Sequence, residues 1–150
     1  MHLHLIHIFF HLFHLFNGAG QIKFHNPYNN ICFEGEYLNG KLNGKGKEYY
    51  DNGKLSFEGE YLNGEKNGKG KNYYRRGYLS FEGEYINGKR NGKGKEYDYD
   101  DELIYEGEYL NGERHGKGKE YNYDGKLKFE GEYLNGKRNG REYKKHCLVY

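Results

Sequence analysis

From Phe33 onward, rings or glycines alternate with charges along the chain. Phe33, Gly35 and Tyr37 fall on one parity, and Glu34 and Glu36 on the other. A period of two is the pattern of a half-buried β-strand. The Gly-containing turn NGKLNG follows, and KGKEYY then reads as a second strand. Asp51-Asn52-Gly53 comes next, a hairpin signal, because Asn-Gly suits the positive φ angles of a type I′ turn. The following strand puts Leu55, Phe57, Gly59 and Tyr61 on one face. Each unit is thus a hairpin, and each connection between units is another. The pattern predicts an antiparallel meander.

The stretch FEGEYLNGKRNG recurs, with small changes, from Phe33, Phe57, Phe81, Tyr105 and Phe129, each start lying 24 residues after the last. A unit this short cannot bury a core alone and must stack on its neighbours. The predicted fold is all-β: an elongated, single-layer antiparallel β-meander of stacked hairpins. The array runs over residues 33–143, in units 33–56, 57–80, 81–104, 105–128 and 129–143. Residues 17–32 read as a degenerate capping half-repeat, with NGAGQIKF where later units carry NGKGKEYY, and with the sole proline, Pro27. Residues 144–150 read as a C-terminal tail folded back over the last edge. Residues 1–16 form an apolar, His-rich leader that is either helical or disordered. The leader lacks the basic start and small-residue cleavage site of a signal peptide, and it is shorter than the roughly 20 apolar residues of a membrane span. His4, His7, His11 and His14 would share one stripe of a helix, but no Asp or Glu accompanies them, so no metal site is expected.

Gly35, Gly59, Gly83, Gly107 and Gly131 interrupt otherwise good strands, where glycine is costly. The expected compensation is room for a ring from the adjacent strand, such as Tyr49, Tyr73, Tyr97 or Tyr121. Tyr37, Tyr61, Tyr85, Tyr109 and Tyr133, with the Phe33 column, are read as the core itself. The Gly44/Gly46 pair and its copies mark a turn exit and a bulge. Asp101 stands where other units have Gly53, Gly77 and Gly125, which predicts a different or looser turn there.

Hydrophobic residues make up only 35%, and Tyr (18) and Phe (9) supply much of that share, so rings must fill the space that aliphatics fill elsewhere. Lys and Arg number 24 against 22 Asp and Glu, a balance that argues against a nucleic-acid partner. Cys32 and Cys147 have no metal-ligand spacing and fit a reducing compartment, so the expected location is cytoplasmic, with peripheral contact to a membrane as a variant. His25, His115 and His146 are scattered, and no phosphate-binding loop or nucleophile motif occurs. No enzyme activity and no cofactor are expected.

Residues 24 apart form columns across the hairpins. Lys45 and Lys47, with their copies, lie beside Glu34 and Glu36 and are expected to be neutralised across strands. A second column at the hairpin tips reads Leu42, Lys66, Arg90, Arg114 and Arg138, flanked by Lys41, Glu65, Lys89, Glu113 and Lys137. Lys66, Arg90, Arg114, Arg138, Lys89 and Lys137 are therefore the candidate ridge for a partner or for lipid. The opposite edge is mixed to acidic, with Asp51, Arg75, Arg76, Asp100, Asp101 and Asp124.

In Tyr105, Gly107, Tyr109, Gly112, Gly116, Gly118 and Tyr121 the chain resembles the MORN repeat family, whose pattern is aromatic-x-Gly-x-aromatic, then a further Gly, a Gly-x-Gly pair and another aromatic. The other units carry the same positions, except that the fifth has a shortened second strand. Tyr stands at the second aromatic position, where family members often have Trp. A related repeat of bacterial antitoxin-like proteins is also similar. The resemblance implies a twisted single-layer sheet that serves as a scaffold, oligomerises, or joins proteins to membranes. The leading expectation is a non-enzymatic scaffold for protein–protein contacts, with homo-oligomers through edge strands. The alternatives are a peripheral module docking anionic phospholipid through the basic ridge, and an antitoxin-like binding protein.

Overall fold

A computed structural model describes residues 18–26 and 28–140. The leader 1–16 and the tail 144–150 lie outside the described residues. Eleven strands follow one another: β1 (Ala19–His25), β2 (Ile31–Leu38), β3 (Lys41–Tyr49), β4 (Leu55–Leu62), β5 (Glu65–Tyr73), β6 (Leu79–Ile86), β7 (Lys89–Tyr97), β8 (Leu103–Leu110), β9 (Glu113–Tyr121), β10 (Leu127–Leu134) and β11 (Lys137–Asn139). They form one antiparallel sheet in sequence order, and no helix occurs among the described residues. This is the predicted meander of hairpins.

The two kinds of turn differ from the sequence reading in an instructive way. The type I′ turns are at Asn39-Gly40, Asn63-Gly64, Asn87-Gly88, Asn111-Gly112 and Asn135-Gly136, where both residues have positive φ. At Asp51-Asn52-Gly53 only Gly53 is left-handed, with φ 78°. There the Gly53 N–H donates to the Tyr50 carbonyl at 2.9 Å, and the Tyr50 N–H donates to Lys54 at 2.8 Å. At Asp101 the turn keeps this form but is looser, as expected: Asp101 takes φ 62° itself, as an Asp can by bonding locally. The closing bond lengthens to 3.4 Å, and the Asp101 carboxylate accepts from the Leu79 N–H at 3.1 Å.

Because the short turns use only two residues, β3 already begins at Lys41. Leu42, Lys66, Arg90, Arg114 and Arg138 therefore lie inside strands, not at tips. The short turns also stack: the Gly64, Gly88 and Gly112 N–H groups donate to Leu42, Lys66 and Arg90 carbonyls at 2.8–2.9 Å.

The core is a zigzag of rings on one face. Phe57, Phe81 and Tyr105 are fully buried. Phe57 meets Tyr61 of its own strand at 5.7 Å and Tyr85 of the next hairpin at 5.5 Å, both edge to face. Phe81 repeats this with Tyr85 at 5.6 Å and Tyr109 at 5.2 Å, and Tyr105 with Tyr109 and Tyr133. Such pairs contribute about 0.5–1.5 kcal/mol each beyond area burial. Each repeat is therefore coupled to the next through rings as well as through backbone bonds.

Glycines make room for this zigzag. Gly59 and Gly70 face each other across β4 and β5. A Cβ on Gly70 would sit 2.7 Å from Phe57 Cζ, and one on Gly59 would sit 2.8 Å from the Gly70 Cα. The covering ring is thus the Phe two residues before the first glycine. It is not Tyr49, Tyr73, Tyr97 or Tyr121, as alternation with a ring from the adjacent strand suggested. Those tyrosines turn to the opposite face, where Tyr49 donates to Glu34 at 2.6 Å and Tyr73 to Glu58 at 2.7 Å.

Gly70→Ala is expected to cost about 2–3 kcal/mol by overpacking. Gly64→Ala, at φ 95° in open space, should cost only about 1 kcal/mol, from backbone conformation alone. Urea denaturation of the two variants checks the order.

Candidate functional site

A single-layer sheet has no second layer to cover its rings, and here long side chains of the same sheet provide one. Lys66 lies over Phe57 at 3.8 Å, Arg90 over Phe81 at 4.0 Å, Arg114 over Tyr105 at 4.1 Å and Arg138 over Phe129 at 4.4 Å. In the first repeat the buried Leu42 fills the same place. A cation above a ring face is attracted by the ring quadrupole.

Carboxylates then lock the cations. Glu48 accepts from Tyr61 at 2.7 Å and from Lys66 at 2.9 Å. Glu96 accepts from Tyr109 at 2.7 Å and Arg114 at 2.5 Å, and pairs with Arg90 at 3.3 Å. Glu120 accepts from Tyr133 at 2.7 Å and pairs with Arg114 at 3.3 Å and with Arg138. Burial opposes the charge on Glu96, but Arg114 and Tyr109 outweigh it and hold the carboxyl below its usual range. Glu120 is held low in the same way by Arg138 and Tyr133, against burial. Of the four cations predicted as the heart of a ridge, Lys66, Arg90 and Arg114 are thus half-buried and Arg138 is exposed, and each is tied to a carboxylate. Lys89 and Lys137 stand exposed beside the short turns. One rung departs: Asn72 occupies the place of Glu48, Glu96 and Glu120, and takes the Tyr85 hydroxyl on its amide oxygen. Arg90 is left to share Glu96 with Arg114.

The opposite face carries the Lys and Glu columns. Glu34, Lys47, Glu58, Lys71, Glu82, Lys95, Glu106, Lys119 and Glu130 face one another in turn from β2 to β10. Lys23–Glu34 at 3.0 Å, Lys119–Glu130 at 3.7 Å and Lys71–Glu82 at 3.9 Å close to ion-pair distance. The neutralisation expected across strands is present. Burial, then the Glu34 hydrogen bond, pushes the Tyr49 phenol up to about 12. A second row, in which Lys69 faces Glu84 and Lys93 faces Glu108, runs parallel to the first. Between the two rows a groove follows the paired glycines, and from Lys69 to Glu132 it encloses roughly 1000 Å³.

Sequence reasoning overlooked an aliphatic rim beside the short turns. Leu38, Leu62, Ile86, Leu110 and Leu134 are 42–50% exposed. Each precedes an Asn-Gly turn with the parity of the glutamates, and that parity is the signal that would have placed it outside the core. No group of His, Cys, Asp and Glu able to hold a metal ion occurs among the described residues, and no helix among them is long and apolar enough to cross a membrane.

The gap at Asn72 gives a test of the ladder. Asn72→Glu is expected to raise stability by about 0.5–1 kcal/mol at neutral pH by restoring a carboxylate for Arg90 and Tyr85. A carboxyl with a lowered folded pKa stabilises above its unfolded value, about 4.3. The gain should therefore begin to fall below that value and be lost as pH drops through the lower folded pKa, together with the contribution of Glu96 and Glu120. Denaturant melts of both proteins across acid pH measure it.

A search of curated proteins found no match to the chain. A family model described as the MORN repeat matches residues 33–54, 57–77, 81–101, 105–126 and 129–141. These are the five hairpins whose rings, paired glycines and short turns build the array. They make up more than half of the chain, which therefore belongs to the MORN repeat family.

Proposed function

We propose that the chain is a non-enzymatic repeat scaffold that holds an extended segment of a partner protein along its groove. The observation that carries this reading is the continuity of the groove across the array. Its two walls present Lys and Glu at fixed intervals, with the backbone of the paired glycines as its floor. Strand spacing near 4.8 Å puts equivalent residues about 10 Å apart. A partner can thus make the same contact several times, and weak contacts then add along one chain. MORN repeats often serve in interaction or membrane-binding roles, which agrees with this reading at a coarser level. Lipid docking through Lys66, Arg90, Arg114 and Arg138 is less favoured, because anionic headgroups would compete with carboxylates already bonded to those cations.

Selection of a random-peptide display library on the full chain tests the proposal, with phosphatidylserine vesicles as a parallel probe. The expected peptides protect groove backbone amides from hydrogen exchange, and lose about tenfold in affinity when Lys69 and Lys93 are changed to Glu. Peptides indifferent to that double change, or vesicles that sediment the chain when no peptide binds it, would contradict the reading.

A further inference from the structure

The rim beside the short turns carries a pattern that the groove does not use. Leu38, Leu62, Ile86, Leu110 and Leu134 are each paired across their turn with a charge on the same face: Lys41, Glu65, Lys89, Glu113 and Lys137. These five charges alternate in sign and are all exposed. Elsewhere on this face a Lys and a Glu oppose each other on adjacent strands. The rim has only one charge per hairpin, about 10 Å from the next. That is too far for a direct ion pair, and none is formed by these five among the described residues. An aliphatic row with unanswered charges of alternating sign is therefore left on the surface.

We propose that this rim joins two copies of the chain, packed antiparallel and offset by one repeat. A second copy is the occupant whose spacing must match, because its aliphatics recur at the same interval. The charges and two-fold closure together select the arrangement, because a parallel pair shifted by one repeat would also match unlike charges but is not isologous. In a parallel pair every rim charge would meet its own counterpart. In an antiparallel pair with Lys89 on the two-fold axis, Lys41 would meet Lys137, and Glu65 would meet Glu113. Both arrangements oppose like charges, which is destabilising. Moving the axis between Glu65 and Lys89 instead pairs Lys41 with Glu113 and Glu65 with Lys89, each twice by symmetry. Moving it between Lys89 and Glu113 pairs Glu65 with Lys137 and Lys89 with Glu113, again twice each. In both offset registers the Leu and Ile rows face each other. The contact is isologous, as a two-fold dimer requires. A single row of side chains buries area at the low end for specific complexes, so a dissociation constant of about 10–100 μM is expected. The rim lies outside the groove, so this proposal and the partner reading can fail independently.

Sedimentation velocity of the full chain, from low micromolar to near-millimolar concentration, tests it. One variant carries an all-Lys rim (Glu65→Lys, Glu113→Lys) and a second an all-Glu rim (Lys41→Glu, Lys89→Glu, Lys137→Glu). All five sites are exposed, and circular dichroism checks that the fold persists. The unmodified chain should dimerise, more weakly at high salt. Each variant alone should lose at least about tenfold in self-affinity, and an equimolar mixture of the two should form a heterodimer. A unmodified chain that stays monomeric overturns the proposal. So does a variant that associates as well as the unmodified chain, which would put the contact on an edge strand or on residues outside the rim. Failure of the mixture to associate overturns it as well.

Discussion

The packing of a ring tip into the space of an absent β-carbon is the contact on which the array depends. Phe81 lies so close to Gly94 that a Cβ there would be 2.6 Å from its Cζ. The same ring meets Tyr85 and Tyr109 edge to face. One side chain thus fills the hollow over its own hairpin and reaches the next. Local filling and longitudinal coupling share one residue, which explains why each repeat carries the ring and the glycines together. A sheet without a second layer has no other source of comparable burial.

What covers the rings is also part of the sheet. The Lys66, Arg90, Arg114 and Arg138 column lies on the ring faces, and Glu48, Glu96 and Glu120 bind those cations and the tyrosine hydroxyls together. The long aliphatic stems serve as apolar cover, and the charged ends remain satisfied near water. That Leu42 can replace a cation in the first repeat supports cover as the shared role. The arrangement divides the surface by use. The ring face is committed to the fold, and the Lys/Glu face carries the charge columns and the exposed aliphatic row.

The period of 24 residues and the two-residue alternation made the meander legible, because both follow from side chains pointing to opposite faces of a strand. Three features were not legible, for physical reasons. The location of the I′ turn was ambiguous in the first unit, where Asn-Gly occurs in both loops, and the stacking of one turn on the previous hairpin separates them. The ring over each glycine could not be identified from alternation, because Phe57 and Tyr73 are both two-fold candidates until the register pairs Gly59 with Gly70. The basic column was read as a free ridge because a bulge near Gly68 brings Lys66 opposite Tyr61, which puts it on the ring face. Charge alone gives no sign of that. Asp101 shows the reverse case, in which a residue that breaks the pattern keeps the geometry by adopting the left-handed conformation itself.

A double-mutant cycle on Phe81→Leu and Gly94→Ala tests the central contact most directly. If the ring occupies the place of the missing β-carbon, the penalty for Gly94→Ala should shrink by about 1 kcal/mol or more once the ring is gone, so the two changes are strongly non-additive. Penalties that add within about 0.3–0.5 kcal/mol would mean that ring and glycine act separately, and would contradict the account.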